Sequence, residues 1–160
     1  MPANLPAKIL IIGTLATFLL TAGAQFILFG GEELTVAPLE KLPESDIPSE
    51  ILIWSDRDKH CEGYCAYFLD GYLYFAARMG ERPTGGYAIV LGSPKMEKAE
   101  AVVTAEFKRP QPWDIVTQVI TYPRTVVRIA FAGDCPASAL FLAPDGSVLA
   151  RVEVINLDRD

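Results

Sequence analysis

The chain has one histidine and three cysteines among 160 residues, so it is short of the side chains that most often perform acid–base and nucleophilic chemistry. His60 stands beside Cys61, and on an extended backbone neighbouring side chains point to opposite faces. Ser55 and Asp56 are near in sequence, but no spacing marks them as partners in a Ser-His-Asp set. Asp134 and Asp145 have ordinary turn-forming explanations. The spacing Gly80…Gly85-Gly86 resembles a phosphate loop superficially, yet it lacks the Gly-Lys-Ser/Thr ending and leads into a strand-like run rather than a helix. These shortages point away from an enzyme, and no cofactor or small-molecule substrate is evident. Positive charge is scarce too: 14 Lys and Arg face 20 Asp and Glu, for a net charge of −6. Without a clustered basic stripe, nucleic acid is excluded as a partner class, and the acidic surface is read as serving solubility.

A third absence is local. No charged residue occurs between Ile9 and Phe29, where only Thr14, Thr17, Thr21 and Gln25 are polar. That run is about one bilayer thickness of helix and has no polar face. It predicts a membrane-inserting segment within residues 1–31. Ala22-Gly23-Ala24 satisfies the small-x-small pattern of a signal-peptidase site, with Lys8 as a minimal basic flank. Phe26-Ile27-Leu28-Phe29 continues the apolar run past that site, which favours an uncleaved anchor. Every acidic residue follows residue 31, and basic residues stay on the cytoplasmic side. The expectation is a single-pass protein of the cell membrane with its main domain extracytoplasmic, or a secreted one if the segment is cleaved.

Cys61 and Cys65 enclose Glu62-Gly63-Tyr64 and are candidates for a local disulfide outside the cytoplasm, the alternative being reduced, inert thiols. Cys135 is then left over, either buried or paired instead with one of the other two. A zinc site from His60, Cys61, Cys65 and Cys135 is disfavoured, because His60 and Cys61 are adjacent and no CxxC knuckle is present. No metal is expected.

Residues 32–50 are acidic and interrupted by Pro38, Pro43 and Pro48, which reads as a semi-rigid spacer. Leu34, Leu39, Leu42 and Ile47 would also let it dock along the domain. The domain itself is read as 51–160. Ile51-Leu52-Ile53-Trp54 looks like a first strand, and 56–70 like a loop or small helical turn. Asp70-Gly71 marks a tight turn into a strand at Tyr72–Arg78. Further strands are expected at Tyr87–Leu91, at Ala101–Phe107 with one wet face, at Val116–Tyr122 and at Thr125–Phe131. Ala139–Leu142 and Val148–Val154 flank Pro144-Asp145-Gly146-Ser147, a strong hairpin signal. Short strands at regular spacing predict a mainly β fold: a single antiparallel β-sandwich or small barrel, immunoglobulin-like as one option, behind one N-terminal transmembrane helix.

The candidate binding residues come from Gly80-Glu81-Arg82-Pro83-Thr84-Gly85-Gly86-Tyr87. Pro83 stiffens this loop and Gly85-Gly86 permit unusual backbone angles, so it is built to hold one shape. Arg82, Pro83, Thr84, Gly85, Gly86 and Tyr87 are read as a surface that contacts a partner. Trp113, between prolines, is either a core residue or an exposed interface anchor.

That loop, followed by Val116-Thr117-Gln118-Val119-Ile120-Thr121-Tyr122-Pro123, resembles the C-terminal domain of the PrcB protease-complex subunit family. There a strand leads into a G-x-x-P-T-G-G-Y loop, and a T-Q-x-x-T-x-P-type strand follows a Pro-containing turn. The resemblance covers roughly Tyr72 to Ala130. It implies a secreted or membrane-attached, non-catalytic accessory domain that stabilises a partner protease or helps it mature. The Cys61–Cys65 insert, Cys135 and an anchor in place of a lipid-modified cysteine depart from the pattern. A shorter likeness links Arg82–Tyr87 to the N-P-T-T-G-Y loop of chagasin-like cysteine-protease inhibitors, which are immunoglobulin-like sandwiches. Arg109-Pro110-Gln111-Pro112-Trp113 is a loose counterpart of their R-P-W loop. The alternatives to an accessory role are therefore a protease inhibitor using the same loop, and a structural envelope domain with no protease partner.

Overall fold

The computed structural model describes residues 39–159 and, ahead of them, two short strands, β1 (Ile27–Phe29) and β2 (Glu32–Leu34), which pair antiparallel. The anchor expected over residues 9–29 lies outside the described residues except for β1, which is strand rather than helix. Among the described residues no helix is long and apolar enough to cross a membrane.

Chain order then runs β3 (Glu40–Lys41), α1 (Ser49–Arg57), β4 (Glu62–Leu69), β5 (Tyr72–Met79), β6 (Ala88–Leu91), β7 (Lys95–Glu97), β8 (Glu100–Lys108), β9 (Arg124–Ala130), β10 (Ser138–Leu142) and β11 (Val148–Asn156). The fold is mainly β, as the strand spacing predicts. It is not a two-sheet sandwich: one sheet runs in the order β3-β9-β5-β4-β11-β10-β8-β6, with β7 also on β8. Nor is it purely antiparallel, because β10 pairs parallel with β8 and β11 parallel with β4. The sheet curls into a half-barrel. Its two flanks meet where the buried Thr125 hydroxyl on β9 donates to the Ile89 carbonyl on β6, at 2.9 Å.

Alternation along β5 shows how the sequence builds two cores. Leu73, Phe75, Ala77 and Met79 point into the curl, where they pack with Ile89, Val103, Val127 and Phe141. Tyr74 and Ala76 point the other way, into a smaller cluster with Leu42, Ile51, Cys65, Tyr67 and Val126. Strands buried on both faces read as continuous apolar runs, and Tyr72-Leu73-Tyr74-Phe75-Ala76-Ala77 is one. β8 has one wet face, as expected: Ala101, Val103 and Ala105 are buried while Thr104 and Glu106 are exposed.

Two local expectations are corrected. Ile51–Trp54 belongs to helix α1, not to a strand. A short apolar run does not distinguish the two states, and here Ile51 and Ser55, four residues apart, are the buried positions facing the sheet. Pro48 stands at the N-cap, with Glu50 in the first turn and Arg57 in the last, as the helix dipole favours. Residues 62–69, expected as loop, are strand β4. From Leu39 onward the Pro-rich stretch docks along the domain, the alternative its leucines offered: Leu42 is buried, its N–H donates to Val126 O at 3.1 Å, and β3 pairs with β9.

The predicted C-terminal hairpin is present, and the tight turn expected at Asp70-Gly71 closes a second one, between β4 and β5. Asp70 and Gly71 take φ of 51° and 74°, the two left-handed residues of a type I′ turn, which suits the strand twist. Between β10 and β11, the Asp145 carboxylate accepts from the Ser147 hydroxyl and N–H at 2.7 and 2.9 Å. Those bonds hold its carboxyl below the usual carboxylate range.

Candidate protein-binding surface

Two connections, 80–87 after β5 and 109–123 between β8 and β9, lie side by side and fix each other. Arg82 and Thr121 exchange both backbone hydrogen bonds at 2.9 Å, forming an isolated antiparallel bridge. The Thr121 hydroxyl donates to Thr84 O at 2.8 Å, and Gly85 N–H donates to Thr117 O at 2.9 Å. Gly86, at φ 84°, sits so close that a Cβ there would meet Val116 Cγ1 at 2.8 Å and Pro110 Cβ at 3.0 Å. Residues 109–123 therefore form a strap laid antiparallel along the glycine loop. Only Thr121 of the segment expected as strand Val116–Tyr122 makes a ladder-type pair.

This arrangement assigns the sequence-predicted residues two different tasks. Thr84, Gly85 and Gly86 spend their backbone groups and close approach on holding the strap. Arg82 is half-buried; its Nη1 donates to Glu81 O at 2.9 Å, and its guanidinium lies 5.9 Å from the centre of the Tyr87 ring. Tyr87 is half-buried against the main core, and Pro83 is exposed. Trp113 is 77% exposed, so it stands at the surface and does not fill the core. The strap adds Ile115, Val119 and Ile120, all more than half exposed; the sequence reading left Val119 and Ile120 inside a strand and did not single out Ile115. The signal that could have found them is the fence of Pro110, Pro112 and Pro123, since proline is confined to strand edges and breaks. Large apolar side chains gathered on one loop are the unusual feature, because single exposed ones are normal.

The remaining chemistry around the loop is polar and paired. His60 Nδ1 lies 2.9 Å from Glu81 Oε2, and the His60 ring meets Tyr122 edge-on with centroids 5.1 Å apart. The Tyr122 hydroxyl also donates to Glu81 Oε2 at 3.3 Å. Among the described residues no group of three His, Cys, Asp or Glu could hold a metal ion.

Cys61 is exposed and Cys65 buried, and both are free thiols. Strand β4 extends the chain between them, and a rise of about 3.3 Å per residue over four residues exceeds the ~4.4–6.8 Å that a disulfide spans between Cα atoms. The expected local disulfide is not formed for that reason. Burial pushes the Cys65 thiol well above its usual pKa, against a smaller opposing effect of Arg78, which suits an inert packing role.

Residues 73–130 match the family model described as PrcB C-terminal, which bears out the resemblance drawn from the loop and the strap. The matched stretch runs from β5 to the end of β9 and contains both connections of the surface. No curated protein and no solved structure matches the chain.

Proposed function

We propose that this chain is a non-catalytic accessory domain that holds a partner protein, a protease in the first instance, against the strap formed by residues 109–123. The observation that carries this reading is the row of exposed Trp113, Ile115, Val119 and Ile120 on a loop pinned by the conformationally restricted segment 80–87. A rigid apolar surface loses little entropy on docking, and aromatic anchors dominate binding energy. The family match at residues 73–130 supports a protease-complex setting. A non-catalytic role is supported by the engagement of the sole histidine with Glu81 and Tyr122. The uncharged run at residues 9–29 supports an extracytoplasmic, membrane-held location.

An inhibitor role is the second reading, favoured by the way the 80–87 and 109–113 segments come together. A turnover assay separates the two. With the captured protease and a small peptide substrate, an accessory domain is expected to leave turnover unchanged or raised and to slow thermal inactivation of the protease. Loss of turnover in proportion to bound domain would establish the inhibitor instead.

A further inference from the structure

An open cleft of about 410 Å³ lies beside the strap, lined by Ser55, Asp56, Lys59, Arg78, Ile120, Thr121, Tyr122 and Arg124. Its polar groups are unequally committed. Arg124 makes three side-chain bonds: Nη1 donates to Ser55 Oγ and Asp56 Oδ1 at 2.6 and 2.8 Å, and Nη2 to Glu44 Oε1 at 2.5 Å. Glu81 is held by His60 and by Tyr122, which lines the cleft. Arg78 is different. It is 8% exposed, with its guanidinium over the Trp54 ring at 4.4 Å; Nε donates to Cys61 O at 3.1 Å and Nη1 to Trp54 O at 2.6 Å. Nη2 has only the exposed Asp58 carboxylate, at 3.9 Å, beyond hydrogen-bond reach. Lys59 rests over the Tyr122 ring at 5.0 Å, with no carboxylate in salt-bridge range among the described residues. Arg78, whose guanidinium is nearly buried, and Lys59, whose ammonium has no carboxylate partner among the described residues, therefore line one cleft together with the apolar Ile120.

We propose that this cleft seats a chain-terminal carboxylate of the partner, held by Arg78 Nη2 and Lys59 Nζ, with the apolar terminal side chain against Ile120. The assignment rests on the reading that the strap faces a protein partner, and it names the chemistry of one end of that partner. A planar guanidinium edge matches a carboxylate, and charge-assisted bonds gain strength where water is partly excluded. The cleft is continuous with the docking surface through Ile120 and Thr121, so an occupied terminus would leave the preceding residues running along the strap.

The test uses the full chain in detergent micelles and four small probes, followed by NMR at the Arg78 Nε–H and the Ile120 methyl groups. N-acetyl-leucine is expected to shift both signals in one saturable process, about tenfold or more tighter than N-acetyl-leucinamide. It is also expected to bind more tightly than N-acetyl-glutamic acid α-amide, which carries its acid on a side chain, and than inorganic phosphate. Lys59→Gln, at an exposed position, is expected to weaken the acid and leave the amide unchanged. Equal binding of acid and amide, a preference for glutamate α-amide or phosphate, or no shift up to high-millimolar probe would each overturn the assignment. If the probe result is negative while strap substitutions still abolish capture, only the carboxylate seat falls. If N-acetyl-leucine binds as expected while strap substitutions are silent, the docking reading falls and the seat stands alone.

Discussion

Replacing Trp113 and Ile115 together by serine is expected to lower affinity for the partner by about a hundredfold or more while leaving the melting temperature unchanged. Trp113 is 77% exposed and Ile115 fully so, so neither contributes appreciable packing to the isolated domain. Exposed substitutions away from caps and special backbone usually change stability by about 0.5 kcal/mol or less. Buried in an interface, each side chain would contribute roughly 1.5–3 kcal/mol, and each ~1.4 kcal/mol is a tenfold change in affinity. The comparison variant is Val148→Ser, equally apolar and 66% exposed but on the β10–β11 hairpin. It is expected to bind as the natural chain does. Capture titrations with thermal melts of all three chains check this. Loss of the fold in the double variant, or equal losses of affinity at positions 113/115 and 148, would count against the strap.

Gly80→Ala is expected to destabilise the domain by about 2–4 kcal/mol, the largest stability effect of any single loop substitution considered. Gly80 has φ of 78°, and a Cβ there would stand 2.8 Å from His60 O and 3.1 Å from both Cys61 C and Glu62 N. All three are backbone atoms, so no side chain can turn aside to make room. The same backbone is tied by Glu81 N–H donating to His60 O at 3.2 Å. A shift there would move the exit of β5 and with it the loop that holds the strap. Chemical denaturation measures the loss. Gly71→Ala, also at positive φ but with open space around its Cβ position, is expected to cost only the backbone strain, roughly 1–2 kcal/mol. Equal losses at the two positions would mean that the contacts at Gly80 do not matter.

The sequence revealed the elements whose signals are local. Pro144-Asp145-Gly146-Ser147 gave the β10–β11 hairpin, and Asp70-Gly71 its tight turn, because turn chemistry is set by two to four adjacent residues. The strands β5, β6, β8, β9, β10 and β11 fell within a residue or two of expectation. What stayed hidden depends on partners distant in sequence. The parallel pairs β8–β10 and β4–β11 leave no mark in either strand alone, so the mixed half-barrel was read as a purely antiparallel sandwich or small barrel. Ile51–Trp54 is a helix because the outer face of β5, with Tyr74 and Ala76, leaves a second apolar layer to be covered.

The candidate surface was half legible. The glycine loop was found from its own composition, but its hydrogen-bond partners Thr117 and Thr121 were placed in a strand. The β-branched run Val116–Tyr122 has high strand propensity, and propensity yields to the absence of a neighbouring edge. Thr84, Gly85, Gly86 and Trp113 were all read as partner contacts; in the structure Thr84 and Gly85 hydrogen-bond to the strap, Gly86 packs against it, and Trp113, Ile115, Val119 and Ile120 are exposed.

The central claim, that the strap is the face turned to a partner, is tested most directly by site-specific photocrosslinking in membranes. A photoreactive phenylalanine analogue is placed at position 113 in one chain and at 148 in another. The account predicts one discrete adduct from position 113, containing a protease, and none from position 148. Adducts only from position 148, or the same mixture from both, would contradict it.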